Sequence, residues 1–383
     1  MESRMTNRRN MILGIGGTAA LVGVGGVWRV NRMPETAMQP WQLDVPVADI
    51  RLDALRHAIL APNPHNRQPW MLRLGADNSV DISCDLDRRL PQTDPYDRQI
   101  LIGFGAFCEL ARIAASGRGH RVDITAFPDG VPGERLDGRT IARLHFIADP
   151  AIVADPLAAV IAARRTTRQP FDDRAVPAAL LDQMAAIAVP GVAIAQTGDP
   201  ARLAAIRDTT LRAFRIEAET PRTWQESVDL MRIGAREIDA APDGLFLAGP
   251  VMEALSLVGA INRERLADPG SAAFRQGLDQ QLGIVGSLPA AIWLTTPGND
   301  RADQFAAGQA WLRLNLLATA TGLKLHPNSQ ALQEFAEMAE PFARLHYLLG
   351  ASGTERVQMF GRIGYGPASG PAPRWPIESH FRA

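Results

Sequence analysis

At 383 residues and 46% hydrophobic side chains, the chain can build a sizeable core or several, which excludes gross disorder. A formal net charge of −1 argues against nucleic acid as a partner, since such binders carry a marked basic excess. Its two cysteines, Cys84 and Cys108, form no cluster with histidine, which argues against a zinc site and favours two buried thiols.

Arg4, Arg8 and Arg9 precede an uncharged, glycine-rich apolar run from Met11 to Val27, closed by Trp28, Arg29 and Arg32. A basic stretch followed by a weakly hydrophobic one is an export pattern. Arg8-Arg9, set between Thr6-Asn7 and Met11-Ile12-Leu13, resembles a twin-arginine signal. The run is short and weak for a membrane-spanning helix, which needs about 20 apolar residues. No A-x-A cleavage site follows, so residues 1–33 also read as a retained membrane tether. The alternatives are an ordinary anchor or a Sec signal. The twin-arginine reading makes the export machinery a partner. It puts the mature protein in the periplasm or on the outer face of the cytoplasmic membrane.

Residues 34–46 read as a linker. A helix is predicted over 53–60, strands over 70–74 and 79–84, and a polar loop over 88–97. From Arg98 to Ser116 apolar residues recur at helical spacing, which predicts a long buried helix stopped by Gly117 and Gly119. Strands follow over 122–127 and 140–147. Helices are predicted over 156–163 and 177–188, with a strand near 192–196. Residues 201–285 read as largely helical, broken at 241–244 and 268–270. A strand over 291–296, a second long apolar helix over 303–321 and a strand over 356–364 lead to a proline-rich end. The motif of a long helix, a glycine and a strand occurs at 98–127 and again at 303–327, which suggests two similar halves.

Three segments carry chemistry. Residues 61–70 read Ala-Pro-Asn-Pro-His-Asn-Arg-Gln-Pro-Trp. Three prolines exclude a helix, and each biases its predecessor to an extended shape, so a stiff loop is predicted. Asn63, Asn66 and Gln68 would offer amides to a flat, polar-edged ligand; the plain alternative is a polar surface turn. Arg164-Arg165-Thr166-Thr167-Arg168 gathers three guanidinium groups and two hydroxyls, suited to phosphate oxygens. Lys324 is the only lysine among 40 basic residues, so arginine fills ordinary surface positions and an exposed basic turn is the competing reading. The third segment runs from Arg362-Ile363-Gly364-Tyr365 to the tail containing Arg374.

Together these resemble the nitroreductase family. The loop is similar to its A-P-S-x-x-N-x-Q-P-W motif and residues 164–171 to its R-R-S-x-R-x-F motif. Residues 306–323 resemble its central helix, and Gly364-Tyr365 with Arg374 its C-terminal flavin-phosphate strand. Asn63 and Thr166 each replace a serine, and Trp375 stands where a second arginine is common. The order of the motifs resembles the Acg-like branch, in which one chain mimics a homodimer.

The resemblance implies an α+β fold of two fused halves, 47–150 and 151–383, each a mixed or antiparallel sheet with helices. An FMN site would lie at the seam, under a helical lid near 208–285. Pro62, Asn63, Pro64 and Asn66 would lie along the flavin ring, with Asn66 at its N3/O4 edge, and Gln68 is a further cofactor-binding candidate. Arg164 and Thr166 would take the phosphate, Arg374 would reach it, Arg168 would sit near N1–O2, and Arg165 is a further cofactor-binding candidate. Lys324, Leu325 and His326 would form a turn bringing an N–H towards N5. His65 and His326 are candidates for proton delivery. The implied activity is electron transfer to a nitro, quinone or similar acceptor, or else FMN sequestration beneath a closed lid.

Overall fold

The computed structural model describes residues 33–382. The signal or tether expected over 1–33 therefore lies, apart from Met33, outside the described residues. Asp49 starts helix α1 (Ile50–Ala58) by accepting the Arg51 N–H at 2.9 Å. After the proline loop, β1 (Trp70–Leu74) pairs antiparallel with β2 (Ser79–Cys84), Trp70 opposite Cys84. Helix α2 (Arg98–Ser116) buries every residue except Gln99 and Arg112. A helix apolar on nearly all sides has to be a core element. Its first-turn N–H groups at Gln99 and Ile100 donate to Asp94 at 3.1 and 2.9 Å. β3 (His120–Ala126) and β4 (Thr140–Ala148) complete an antiparallel sheet of order β1-β2-β4-β3.

The second half begins with α3 (Ala178–Ala185) and β5 (Ala193–Thr197). An insertion follows. It comprises α4 (Pro200–Glu219), α5 (Pro221–Asp229), β6 (Met231–Ile233), α6 (Gly234–Ala240), β7 (Leu245–Leu247), α7 (Pro250–Leu257), α8 (Arg263–Ala267) and α9 (Ala272–Gly286). β6 and β7 pair parallel to each other. β8 (Ala290–Thr296) then leads into α10 (Arg301–Ala320), which opens with a capping box between Asp300 and Asp303. β9 (Lys324–Pro327), α11 (Ala339–Leu349) and β10 (Arg356–Gly364) close the half, whose sheet is antiparallel in the order β5-β8-β10-β9.

Each half thus has a four-stranded antiparallel sheet and one long buried helix, and the two helices cross. At the crossing Gly105 and Gly308 let the backbones touch. A Cβ on Gly105 would overlap the Phe305 carbonyl, and one on Gly308 the Ile102 carbonyl. Buried ion pairs flank the contact. Glu109 of α2, wholly buried, meets Arg313 of α10 at 2.5 Å. The guanidinium of Arg98 donates to Leu332 O at 2.6 Å and Gln358 O at 2.8 Å and pairs with Glu334.

Several expectations need correction. The stretch over 34–46 is not a free linker. It holds a 3-10 helix, Thr36–Trp41, fastened by Arg374 N–H to Ala37 O at 2.9 Å and by Trp41 Nε1–H to Ala372 O at 2.8 Å. Residues 156–160 form a 3-10 helix rather than α-helix. With Ile161 they pack on the core of the first half, so the boundary at 150/151 falls inside that cluster. Phe381 returns from the tail to bridge Leu72. The "largely helical" insertion contains β6 and β7, and helix α11 was not predicted. Lys324–Pro327 is an edge strand on β10, not a turn.

Candidate functional site

The proline loop is stiff, but not in the way its prolines suggest. His65, Asn66 and Gln68 have φ of +46°, +52° and +50°. Such left-handed conformations cost non-glycine residues energy and persist only where surroundings enforce them. Gln68 precedes Pro69 and still escapes the extended region, against the sequence expectation. The enforcement comes from the loop's own amides. Asn63 Oδ1 accepts the Gln68 N–H at 2.7 Å, and Asn63 Nδ2 donates to Ala61 O at 3.1 Å. Gln68, fully buried, donates to Pro242 O at 2.7 Å and accepts the Trp375 N–H at 2.9 Å. Asn66 donates to Pro373 O at 3.0 Å and accepts from Arg374 at 2.5 Å. The three amides therefore hold protein to protein rather than being offered to a ligand.

The loop and the arginine-rich segment line one crevice at the seam, which encloses ≈ 640 Å³ of empty space with its open mouth included. Pro62, Asn63, Pro64 and Asn66 form one wall, and Thr166, Arg168 and Arg374 stand on the same cavity. Gln99, Ile102, Gly103 and Ala106 of α2 and Trp311 of α10 lie along it, with Pro327, Ser329 and Met359 from the second sheet. Among the described residues no carboxylate lines it.

The positive charge there is uncompensated. Among the described residues, none of Arg164, Arg165, Arg168 and Arg374 forms an ion pair with a carboxylate. Arg164 is 3% exposed, and only its Nη2 has a partner, Leu60 O at 3.0 Å; its Nε and Nη1 have none. Burial, with Arg165 adding repulsion, pushes Arg164 down to about 10. Burial also lowers Arg168, whose guanidinium meets no acceptor among the described residues and keeps accessible surface while lining the crevice. Arg374 lies well below its ordinary value through burial and the neighbouring Arg164, Arg168 and Arg165. All five of its N–H groups are engaged: Nε with Ile59 O, Nη1 with Asn66 Oδ1 and Pro373 O, Nη2 with Leu60 O and Ala61 O. It contributes charge, with no free donor. Arg165 stacks on Trp41, its Cζ 4.5 Å from the ring centroid, and bonds to Ala162 O and Arg164 O.

His65 Nε2 meets Ser227 Oγ of the insertion at 3.1 Å. Burial, then Arg168 and Arg67, pushes the His65 ring down to about 4, so it is neutral at pH 7. His326 is also neutral, lowered by burial, then by Arg362 and Arg168; its Nδ1 accepts from Arg362 Nε at 2.9 Å. Arg362, fully buried, donates onward to Thr167 O at 3.1 Å and Gln169 O at 2.7 Å, fixing the arginine-rich segment to the second sheet.

The insertion grips the loop from outside. Gly244 N–H donates to Asn66 O at 3.3 Å, and buried Asp243 meets Arg232 at 2.6 Å, Arg88 at 3.4 Å and Arg67 at 3.5 Å. No residue of 208–285 lines the crevice.

Of the sequence-predicted residues, Pro62, Asn63, Pro64, Asn66, Thr166, Arg168 and Arg374 line the crevice. Arg164 does not line it but shares the Leu60 carbonyl with Arg374, which does. Gln68, Arg165, Lys324, Leu325, His65 and His326 do not line it. Nor do Gly364 and Tyr365: a Cβ on Gly364 would press on Pro289 and Phe171, and Tyr365 receives Arg174 at 3.8 Å from its centroid. Sequence reasoning missed the α2 wall. The local signal was the small residues Gly103 and Ala106 of α2; a Cβ on Gly103 would come 3.2 Å from the Asn63 Cβ.

No protein-family model matches the chain. It is similar over 87% of its length to "Putative NAD(P)H nitroreductase Rv3131" of Mycobacterium tuberculosis, at 28% identity over 355 residues and 93% of that protein. A further relative, "Putative NAD(P)H nitroreductase acg" of the same organism, is 32% identical over 124 residues, 32% of this chain and 36% of the relative. Among solved structures, a nitroreductase-like family protein from Bacillus cereus gives a TM-score of 0.34 at 18% identity, covering 60% of this chain and 97% of its own.

Proposed function

We infer that the chain is a nitroreductase-family, FMN-dependent oxidoreductase that passes electrons to a nitro, quinone or similar small acceptor. The observation that carries this reading is the meeting of the strained proline loop and the arginine-rich segment on one crevice rich in unpaired guanidinium groups. Similarity over 87% of the chain to the mycobacterial protein named "Putative NAD(P)H nitroreductase Rv3131" supports it.

The residues present fit the cofactor. Buried Arg164 has two N–H-bearing nitrogens without a partner, and burying a charge unpaired is costly unless a counter-ion arrives. A ribityl phosphate is such an ion, and Arg164, Thr166 and Arg168 would hold it or the anionic part of the ring. The rigid wall Pro62–Asn66 would press on the flat ring, preorganised by its own amides. Bound there, FMN would supply the redox chemistry.

A second reading, FMN storage with little turnover, draws on the Asp243 cluster, which fastens the insertion to the loop. We also propose export by a twin-arginine signal, motivated by Arg8-Arg9 and the run after them; the mature protein would then need an electron donor other than cytoplasmic NAD(P)H.

The test is an absorbance spectrum of the purified protein, followed by dithionite reduction and mixing with p-benzoquinone. A flavin spectrum and rapid reoxidation support the enzyme. Bound flavin that stays reduced favours storage, and a colourless protein that takes up no FMN removes both readings.

A further inference from the structure

Helix α7 (Pro250–Leu257) is built inside out. Its one buried residue is its one charged residue, Glu253, 6% exposed. The Ala235 N–H donates to Glu253 Oε1 at 2.5 Å. Gly234, at φ +80°, makes room for the carboxylate, since a Cβ there would come 2.7 Å from Oε1. The opposite face is apolar and open. Val251 and Val258 fall at i and i+7, on the side away from Glu253, and are 66% and 76% exposed. Leu257 is 46% exposed, and Leu255 is half-buried. From Leu245 to Ile261 no residue except Glu253 carries a charge. Single exposed apolar side chains are ordinary, but a cluster of them on an uncharged stretch marks an interaction surface.

The course of the chain points to what covers this face. The apolar run Met11 to Val27 leads to Met33, which is 60% exposed, and then to the 3-10 helix Thr36–Trp41. That helix packs on α6, and α6 packs on α7. The Ala37 N–H donates to Asp239 Oδ1 of α6 at 3.0 Å. Val27 and Ala37 are ten positions apart, at most about 36 Å of fully extended chain. A bilayer holding the run must therefore lie within that reach of Thr36–Trp41, and α6 and α7 are the layer beside it.

We propose that the open face of α7 seats on the phospholipid bilayer that holds the N-terminal run, with Val251, Leu257 and Val258 entering its interfacial layer. This rests on reading residues 1–33 as a retained tether, and it is independent of the flavin. The helix lies on the membrane and does not span it: eight residues rise about 12 Å, against about 30 Å of hydrocarbon. Apolar faces of this kind sink about 5–10 Å into the headgroup boundary. A tether alone would let the protein turn freely; the second contact fixes which side of it meets the lipid.

The test uses the full chain reconstituted with vesicles of phosphatidylcholine and phosphatidylglycerol. Cys84 and Cys108 are both 0% exposed, so a thiol-reactive NBD dye goes to a single introduced cysteine. Val258→Cys probes the face, and Tyr347→Cys, at a position 74% exposed on α11, is the control. On vesicles the dye at position 258 should shift to the blue and lose about half or more of its emission to doxyl-labelled lipid. The dye at position 347 should do neither. Hydrogen exchange is a second readout: the amides of 250–261 should slow about tenfold or more on vesicles. Val251→Asp combined with Val258→Asp should abolish that slowing, and both positions face solvent, so the fold is kept. Vesicle-bound protein whose dye at position 258 stays in water, or whose 250–261 amides do not slow, overturns the α7 contact and leaves the tether standing. A full chain that does not stay with the vesicles overturns the tether and the contact together. A blue shift at position 258 without vesicles, growing with protein concentration, overturns lipid as the occupant and gives the face to a second copy of the chain.

Discussion

The guanidinium of Arg374 donates to the side-chain oxygen of Asn66 at 2.5 Å, across 308 positions of sequence. The same guanidinium gathers the carbonyls of Ile59, Leu60 and Ala61 just beyond α1, so one side chain ties the C-terminal tail to the start of the proline loop. Arg374→Met should take a donor from five buried acceptors and destabilise the fold by about 3 kcal/mol or more. Arg374→Lys should recover little of this, because an ammonium cannot reproduce the planar fork. Urea unfolding of the three proteins measures it.

The crossing of α2 and α10 depends on two glycines whose missing Cβ atoms admit a backbone carbonyl. Gly105→Ala and Gly308→Ala should each cost about 2–3 kcal/mol, because the obstacle is backbone and cannot rotate away. Gly277→Ala, at a helical position with no atom within 4 Å of the added carbon, should be neutral or slightly stabilising. A Gly105→Ala variant as stable as the parent would show that the helices can part without cost.

Asp243 meets three guanidinium groups while only 6% exposed. Asp243→Asn should leave Arg67, Arg88 and Arg232 facing one another, at a cost of about 3 kcal/mol. Hydrogen exchange should then quicken in 227–247 and in the proline loop that this turn holds. The second sheet, on the other side of the seam, should keep its protection. Uniform exchange in variant and parent would contradict the role of Asp243 as the fastener of the insertion.

His346 gives the fold an acid limit. Its Nδ1–H donates to Phe342 O at 2.9 Å and its Nε2 accepts the Val357 N–H at 3.2 Å, a pairing only the neutral ring can make. Burial, partly offset by the bond to Phe342, pushes the group down to about 4. The unfolded chain takes up the proton near 6.5, so the stability is present above that pH and is lost as pH falls towards 4. Allowing for solvent screening, the loss is on the order of 1–2 kcal/mol. His346→Gln should flatten the stability profile between those two pH values, as thermal melts at several pH values can show.

The long helices were legible because nineteen or twenty residues of one periodicity leave little choice, and β1, β2, β8 and β10 because short apolar stretches stand between turn signals. The short elements were not. Three residues of β6 or β7 carry no measurable period, and Lys324–Pro327 becomes a strand only because β10 lies beside it. At the site, the segments that build the crevice could be read from their residue types, but the roles within it could not. Asn63, Asn66 and Gln68 carry the amides a ligand would want, and the protein's own strained backbone takes them first. Arg374 reads as a phosphate ligand until its five donors are seen to be engaged by carbonyls from another part of the chain. The α2 wall was hidden because Gln99, Ile102 and Ala106 look in sequence like any core helix; only the docking of the loop at Gly103 gives that face a purpose.

The central claim is that Arg164 and Arg168 await an anion attached to a flat ring. The most direct measurement is a titration of flavin-free protein with FMN and, separately, with riboflavin, followed by quenching of flavin fluorescence. The account expects one FMN per chain, riboflavin weaker by about 100-fold for want of the phosphate, and FMN reduced to riboflavin's level in Arg164→Ala and Arg168→Ala. Equal affinity for the two flavins, or FMN binding untouched by both substitutions, would contradict it.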